Sequence, residues 1–232
     1  VRLPLLSDTW PYVALAAAET QMTESACIDP YSETALERAV VILRQGGIVA
    51  FPTETYYGLA ADPFNHDALR RLYAIKKRTT QKPILTVIND REQLAPLVQD
   101  IPGPFQLLMD RFWPGPLTLV FKGNKDLPPL LTGYTGTIGV RWSSHPVACR
   151  LADLFDNAVT ATSANLSGGK SAVTAIECCR YFGTDIDMVI DGGTTPGGRG
   201  STLVGIENGR LRLLRDGVIP FAEVAAVYRT GS

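Results

Sequence analysis

Four short polar clusters carry residue types that bind phosphate or orient a reacting group. They are Thr53 to Tyr57, Lys76 to Lys82, Ser163-Ala164-Asn165 with Ser167, and Arg199-Gly200-Ser201-Thr202. Arg141 and Arg215 add cations at the ends of expected strands. Arginine forks grip phosphate oxygens in pairs, and lysine meets them as a point charge. Hydroxyls and the N–H groups of Gly-rich backbone bind the same oxygens. Together the set suits a polyanion seated beside a smaller polar partner. Singly, each cluster has a plainer reading. Lys76, Lys77, Arg78 and Lys82 also suit a solvated helix end that complements the helix dipole. Ser163 and Asn165 also suit an ordinary turn. Gly192 to Gly200 also reads as a floppy connector, and Thr53 to Tyr57 as a surface turn capping Phe51.

Several chemistries are poorly supported. Gly168-Gly169-Lys170-Ser171 ends like a phosphate-binding P-loop, but Ala164 stands where the first glycine belongs. Gly193 to Ser201 has the glycine spacing, yet Arg199 replaces the lysine and Gly200 intrudes. There is no G-x-S-x-G turn for a serine hydrolase. The four cysteines, Cys27, Cys149, Cys178 and Cys179, form no C-x-x-C pair, and only His66 and His145 are present. A metal site or disulfide frame is therefore not expected, and a reducing, cytoplasmic setting is. With a formal net charge of −1 there is no global field to hold nucleic acid, so any RNA contact needs a local patch. No apolar run approaches the roughly 18 residues of a membrane span.

The elements that must carry these clusters alternate between helix and strand, over 232 residues of which 45% are hydrophobic. Leu36, Ala39, Val40 and Leu43 define one apolar face of a helix from about Glu33 to Gln45, with Ser32 as N-cap and Gly46-Gly47 as its stop. Ile48 to Phe51 reads as a buried strand that Pro52 ends. Helices are expected at Asp67 to Lys76, Asp90 to Leu97, Phe105 to Phe112, Pro146 to Phe155, Ala172 to Phe182 and Phe221 to Tyr228. Strands are expected at Ile84 to Ile88, Leu117 to Phe121, Thr137 to Arg141, Ala158 to Ala161 and Met188 to Asp191. Thr202 to Ile206 and Arg210 to Arg215 read as a hairpin about Glu207-Asn208-Gly209. Val1 to Pro30 reads as a loosely attached extension, with Met22 as a candidate start, and residues 31–232 as one domain. Tyr12 to Ala18 is a poor signal peptide, since only Arg2 precedes it and Pro4, Asp8 and Pro11 interrupt the segment.

Six ordered blocks resemble the YrdC-like family, which contains threonylcarbamoyl-AMP synthases. They are Phe51 to Leu59, Lys76-Lys77-Arg78, Trp113 to Thr118, Gly139-Val140-Arg141, Thr162 to Asn165 and Ser201-Thr202. The resemblance runs from about Tyr31 to Val227. It implies an α/β fold: a twisted mixed, mostly parallel sheet flanked by helices around a large open basic cavity. It implies that L-threonine, bicarbonate and ATP, with Mg²⁺ accompanying the ATP, give threonylcarbamoyl-AMP and pyrophosphate. The product would pass to a separate transferase complex that modifies the adenosine beside the tRNA anticodon.

The family pattern implies catalytic, phosphate-gripping roles for Lys76 and Arg78. It implies nucleotide contacts at Thr137, Ser163, Asn165, Ser171 and Arg215, and L-threonine contacts at Thr53, Arg141 and Ser201, with no protein-bound metal. Two departures stand out. Many relatives carry a histidine where this chain reads Thr86-Val87-Ile88, and proline where it has Thr79. Two other functions stay open on the residues. One is a non-catalytic module binding double-stranded RNA or tRNA through the basic run Arg70 to Lys82. The other is carbamoyl-adenylate chemistry with a different amine.

Overall fold

The apolar face read from Leu36, Ala39, Val40 and Leu43 is buried in the computed structural model, which describes residues 27–28 and 33–230. It belongs to helix α1 (Glu33–Arg44). The expectations for Val1 to Pro30 (other than residues 27–28) and for Ser32 lie outside the described residues. From α1 the chain turns at Gly46, whose φ of 81° suits glycine, into strand β2 (Val49–Pro52). Strand β1 (Cys27–Ile28) lies two places away in the same sheet.

Strand β3 (Tyr57–Ala60) returns antiparallel to β2, pairing Pro52 with Tyr57 and Phe51 with Gly58. The polar turn between them therefore belongs to a hairpin rather than to a strand end opening into a loop. Helix α2 (His66–Ile75) follows, with the Asn65 side chain accepting from the N–H groups of Asp67 and Ala68. Then come β4 (Thr86–Ile88), α3 (Gly103–Phe112), β5 (Leu117–Lys122) and β6 (Thr137–Trp142). Helix α4 is Pro146–Phe155, β7 is Val159–Thr160 and β8 is Thr162–Ser163. Helix α5 (Ala175–Phe182), β9 (Met188–Ile190), β10 (Thr202–Glu207), β11 (Arg210–Arg215) and α6 (Phe221–Arg229) complete the order.

The mixed α/β class holds, with two corrections. The strands form two sheets, ordered β1-β9-β2-β3-β8 and β11-β10-β5-β6-β4-β7. Parallel pairs do not dominate: among the described strands four pairings are parallel and five antiparallel. The short returns β2–β3 and β10–β11 contribute to this, because a tight return can only make an antiparallel pair, and β5–β6 adds another antiparallel pair across a longer connection. Two helices are also shorter than expected. Asp90 to Leu97 holds only a 3₁₀ turn at Glu92–Leu94. Helix α5 starts at Ala175 rather than Ala172, because Thr174 caps it: Thr174 Oγ1 accepts from Glu177 N, and Glu177 Oε2 reaches back to accept from Val173 N, the residue before the cap.

One core draws on both sheets through Ala50, Leu59, Leu119, Phe121, Ile138 and Val204, with α2 and α3 packed on it. A second core joins α1 and α4 to Val49, Phe51 and Ile190. The chain crosses from one sheet to the other at Ala161, between β7 and β8, where its N–H donates to Leu85 O at 2.7 Å. At that crossing the strand ends open into a shared hollow.

Candidate active site

The hollow measures about 870 Å³ including its open mouth. Thr53, Arg78, Arg141, Ser163, Ser171, Ser201 and Arg215 line it, joined by Thr55, Tyr57 and Thr118. Seven of the expected site residues, far apart in the chain, are thus brought together.

Thr53 organises the β2–β3 turn. Its hydroxyl donates to Tyr56 O at 2.7 Å and accepts from the N–H groups of Thr55 and Tyr56. This is the local hydroxyl-to-backbone bonding that favours threonine in turns. The Thr53 and Thr55 hydroxyls lie 3.1 Å apart. Arg141, near the C-terminal end of β6, is 7% exposed. Its Nη1 donates to Glu54 Oε1 at 3.1 Å and to Thr55 Oγ1 at 3.3 Å. The other Glu54 oxygen accepts from Ser143 Oγ. Burial pushes the Arg141 guanidinium below its ordinary range, and the Glu54 charge opposes that shift.

The spacing of Lys76 and Arg78 has a backbone cause. Lys77 has a φ of 47°, and the N–H groups of Lys77 and Arg78 donate to Ala74 O and Tyr73 O. That double bond pattern is a Schellman ending to α2, with lysine in the left-handed position that glycine usually fills. It sends the two side chains to different places. Arg78 reaches the hollow, where Nη2 donates to Pro83 O at 2.9 Å and Nε to Lys82 O at 3.3 Å. Lys76 is 1% exposed and sits behind the wall. Its Nζ donates to Ser163 O, to Asn165 O at 2.8 Å and to Asn165 Oδ1 at 3.5 Å. Burial, with the Arg78 charge adding to it, pushes the Lys76 ammonium down to about 7. The expected phosphate-gripping ammonium therefore clamps a turn of the protein instead.

Asn165 shares that turn. Its Oδ1 accepts from Ser163 Oγ at 2.6 Å, and its Nδ2 donates to Leu166 O and Gly169 O. Of the Ser163–Asn165 pair, only Ser163 lines the hollow. Opposite, Ser201 Oγ and Thr118 Oγ1 lie 2.7 Å apart, and Arg215 Nη2 donates to Ser201 Oγ at 2.9 Å. Arg215 also donates to Ser201 O through Nε and Nη2. Desolvation of its guanidinium, then the Arg141 charge, lowers its pKa from the ordinary value.

Thr137 is not brought in. It sits at the other end of β6 from Arg141, 2.8 Å from Thr135 Oγ1, and lines a separate hollow with Lys122 and Tyr134. Four residues of strand span about 13 Å, so one strand cannot present both ends to one ligand group. The Gly-rich stretch is pinned rather than floppy. Tyr57 Oη donates to Gly193 O and accepts from Gly192 N, while Gly197 N donates to Thr55 O. Burial, then the Asp191 charge, raises the Tyr57 hydroxyl well above its ordinary range, so it stays protonated.

Reading the residues alone passed over Glu54, Ser143 and Thr118. Glu54 was visible in the polar turn, but its partners are 87 and 89 positions away. Thr118 lay hidden in an apolar strand. The arrangement places two arginines without a carboxylate partner among the described residues, Arg78 and Arg215, beside a third that has one. Such a charge arrangement is suited to neutralising a polyanion on one side and holding a smaller charged group on the other.

Residues 41–217 match the Sua5/YciO/YrdC family model, described as "Telomere recombination". A relative named threonylcarbamoyl-AMP synthase from Thiobacillus denitrificans is 40% identical over 169 residues, 73% of this chain and 89% of that protein. Another of that name, from Pyrococcus abyssi, is 38% identical over 82% of this chain, which spans 56% of the relative's length. Among solved structures, P. abyssi Sua5 complexed with L-threonine superposes with a TM-score of 0.80, at 38% identity over 83% of this chain and 56% of that one. E. coli YciO superposes at 0.74, with 25% identity over 83% of this chain and 94% of its own.

Proposed function

The chain belongs to the Sua5/YciO/YrdC family, and from that premise we propose that it is a threonylcarbamoyl-AMP synthase. One observation within the molecule carries the proposal: three arginines from distant elements open on one hollow, and among the described residues only Arg141 is balanced by a carboxylate. The substrates are L-threonine, bicarbonate and ATP, the nucleotide bringing Mg²⁺ with it. Residues 31–232 act as the catalytic unit. A reaction drawing on ATP and bicarbonate fits a cytoplasmic setting, and no described helix is long and apolar enough to cross a membrane.

The threonine amine first adds to bicarbonate, losing water and giving a carbamate. A carbamate oxygen then attacks the α-phosphorus, and pyrophosphate leaves with the electron pair of the broken P–O bond. Such transfer needs alignment and charge neutralisation more than covalent help. Arg78 and Arg215 meet the charge growing on pyrophosphate, where fixed donors contribute most. Among the described residues Arg141 donates through Nη1 alone, which leaves the rest of its fork for the threonine carboxylate. Thr53 and Ser201 flank that carboxylate side, and Ser163 and Ser171 the nucleotide side. Lys76 and Asn165 hold the Ser163 turn in place. The adenylate then passes to a tRNA-modifying transferase.

The RNA-binding alternative is weakened once the basic run is folded, which leaves Lys77 and Lys82 as its exposed, unpaired cations among the described residues. Arg70 pairs with Asp67 at 2.5 Å, Arg71 pairs with Asp187 at 2.7 Å, Lys76 is buried, and Arg78 faces the hollow. The test is pyrophosphate release with each substrate omitted in turn. Release should require ATP, threonine and bicarbonate together, and serine or other amines should substitute poorly. Release without threonine would overturn the proposal.

A further inference from the structure

Glu54 stands apart from every group assigned above. Its side chain is 14% exposed and is held at both oxygens, by Arg141 Nη1 at 3.1 Å and by Ser143 Oγ. The Ser143 hydroxyl in turn accepts from His145 N, so the carboxylate is anchored to the start of α4 as well as to β6. These contacts tie the β2–β3 turn to the end of β6 and fix where the open part of the Arg141 fork points. They also make Arg141 one half of a neutral pair, whereas Arg78 and Arg215 have no carboxylate partner among the described residues.

A site that binds ATP beside an amino acid has a selectivity problem. Phosphate and carboxylate both fit an arginine fork, and a bare Arg141 would take a phosphate of the neighbouring nucleotide, or the pyrophosphate product. Selectivity of this kind needs a repulsive element as well as an attractive one. A carboxylate fixed against the fork supplies it. It repels a multiply charged anion strongly, and a zwitterion, whose ammonium offsets its carboxylate, much less.

We infer that Glu54 is a specificity-determining positioning residue: it aims the Arg141 fork and neutralises it, so that the fork accepts a zwitterionic amino acid and turns phosphate away. This rests on the synthase reading given above. Substituting Glu54→Gln keeps the shape and an oxygen acceptor for Arg141 but removes the charge. Glu54→Asp keeps the charge and shortens its reach.

The experiment is calorimetric titration of L-threonine into each protein over a series of inorganic phosphate concentrations. In the unaltered chain phosphate should compete weakly with threonine. In E54Q it should compete at a concentration at least about tenfold lower, the change expected when a fixed charge a few ångströms away is lost. E54D should keep weak phosphate competition while binding threonine less tightly. It also keeps the inference testable if E54Q fails to fold: strong phosphate competition in E54D would then overturn it. Unchanged competition in folded E54Q overturns the inference and leaves the synthase reading standing. Absence of threonine binding by the unaltered chain overturns that reading and the inference with it.

Discussion

Replacing Lys76 with methionine should change how stability depends on pH. The side chain is 1% exposed and its ammonium sits against three oxygens of the Ser163–Asn165 turn. Burial, then the Arg78 charge, holds its pKa at about 7 against an ordinary 10.5. Below pH 7 the folded and unfolded chains both carry the proton, so this group adds no slope there. Between about 7 and 10.5 the unfolded chain keeps a proton that the folded chain has released. Stability must then rise with pH across that window and level off above it. A separation of 3.5 pKa units (10.5 minus 7), at about 1.36 kcal/mol each, sets a ceiling of about 5 kcal/mol. The three oxygens favour the charged form and keep the actual rise below that ceiling. Lys76→Met removes the titration and leaves Asn165 O without its donor, at a cost of about 1–3 kcal/mol. Urea unfolding of both proteins between pH 7 and 10 gives the comparison, and titrations common to both cancel. The stability of the unaltered chain relative to the variant should climb with pH by some kcal/mol. A flat difference would refute the reading of Lys76 as a buried, desolvated clamp.

Arg78→Ala should separate activity from folding. Its guanidinium donates to two backbone carbonyls and has the Tyr73 hydroxyl beside it, so loss of stability should stay within about 2 kcal/mol by thermal melting. Threonine-dependent pyrophosphate release should nonetheless fall by about a hundredfold or more, as when a preorganised donor to a developing anion is removed. Asn65→Ala removes the acceptor for the N–H groups of Asp67 and Ala68 at the start of the helix that ends in Lys76. Urea unfolding should show a loss of about 1 kcal/mol.

What the sequence made legible depended on how local the cause was. The hairpin about Asn208-Gly209 was readable because both residues take positive φ, and few residue pairs do so easily. The start of α4 was readable because Pro146 suits the first turn of a helix. Strand β3 was not, because Tyr57 and Gly58 looked like the end of a polar turn. Only pairing with Phe51 on one side and Ser163 on the other makes them a strand. The same limit governed the site. Arg141 and Arg215 declared themselves by residue type at strand ends. Lys76 declared its charge but not its depth, and its acceptors are 87 and 89 positions away. Thr137 shares a strand with Arg141 but sits at its opposite end, a distance that a family pattern read as letters does not convey.

The most direct measurement is a crystal structure of the protein with L-threonine and a non-hydrolysable ATP analogue bound together. The expected result places the threonine carboxylate within about 2.7–3.2 Å of Arg141 nitrogens, with Glu54 still on Nη1 and the phosphates against Arg78 and Arg215. Triphosphate density on Arg141, or either ligand seated in the separate hollow beside Lys122 and Tyr134, would contradict the assignment of the site.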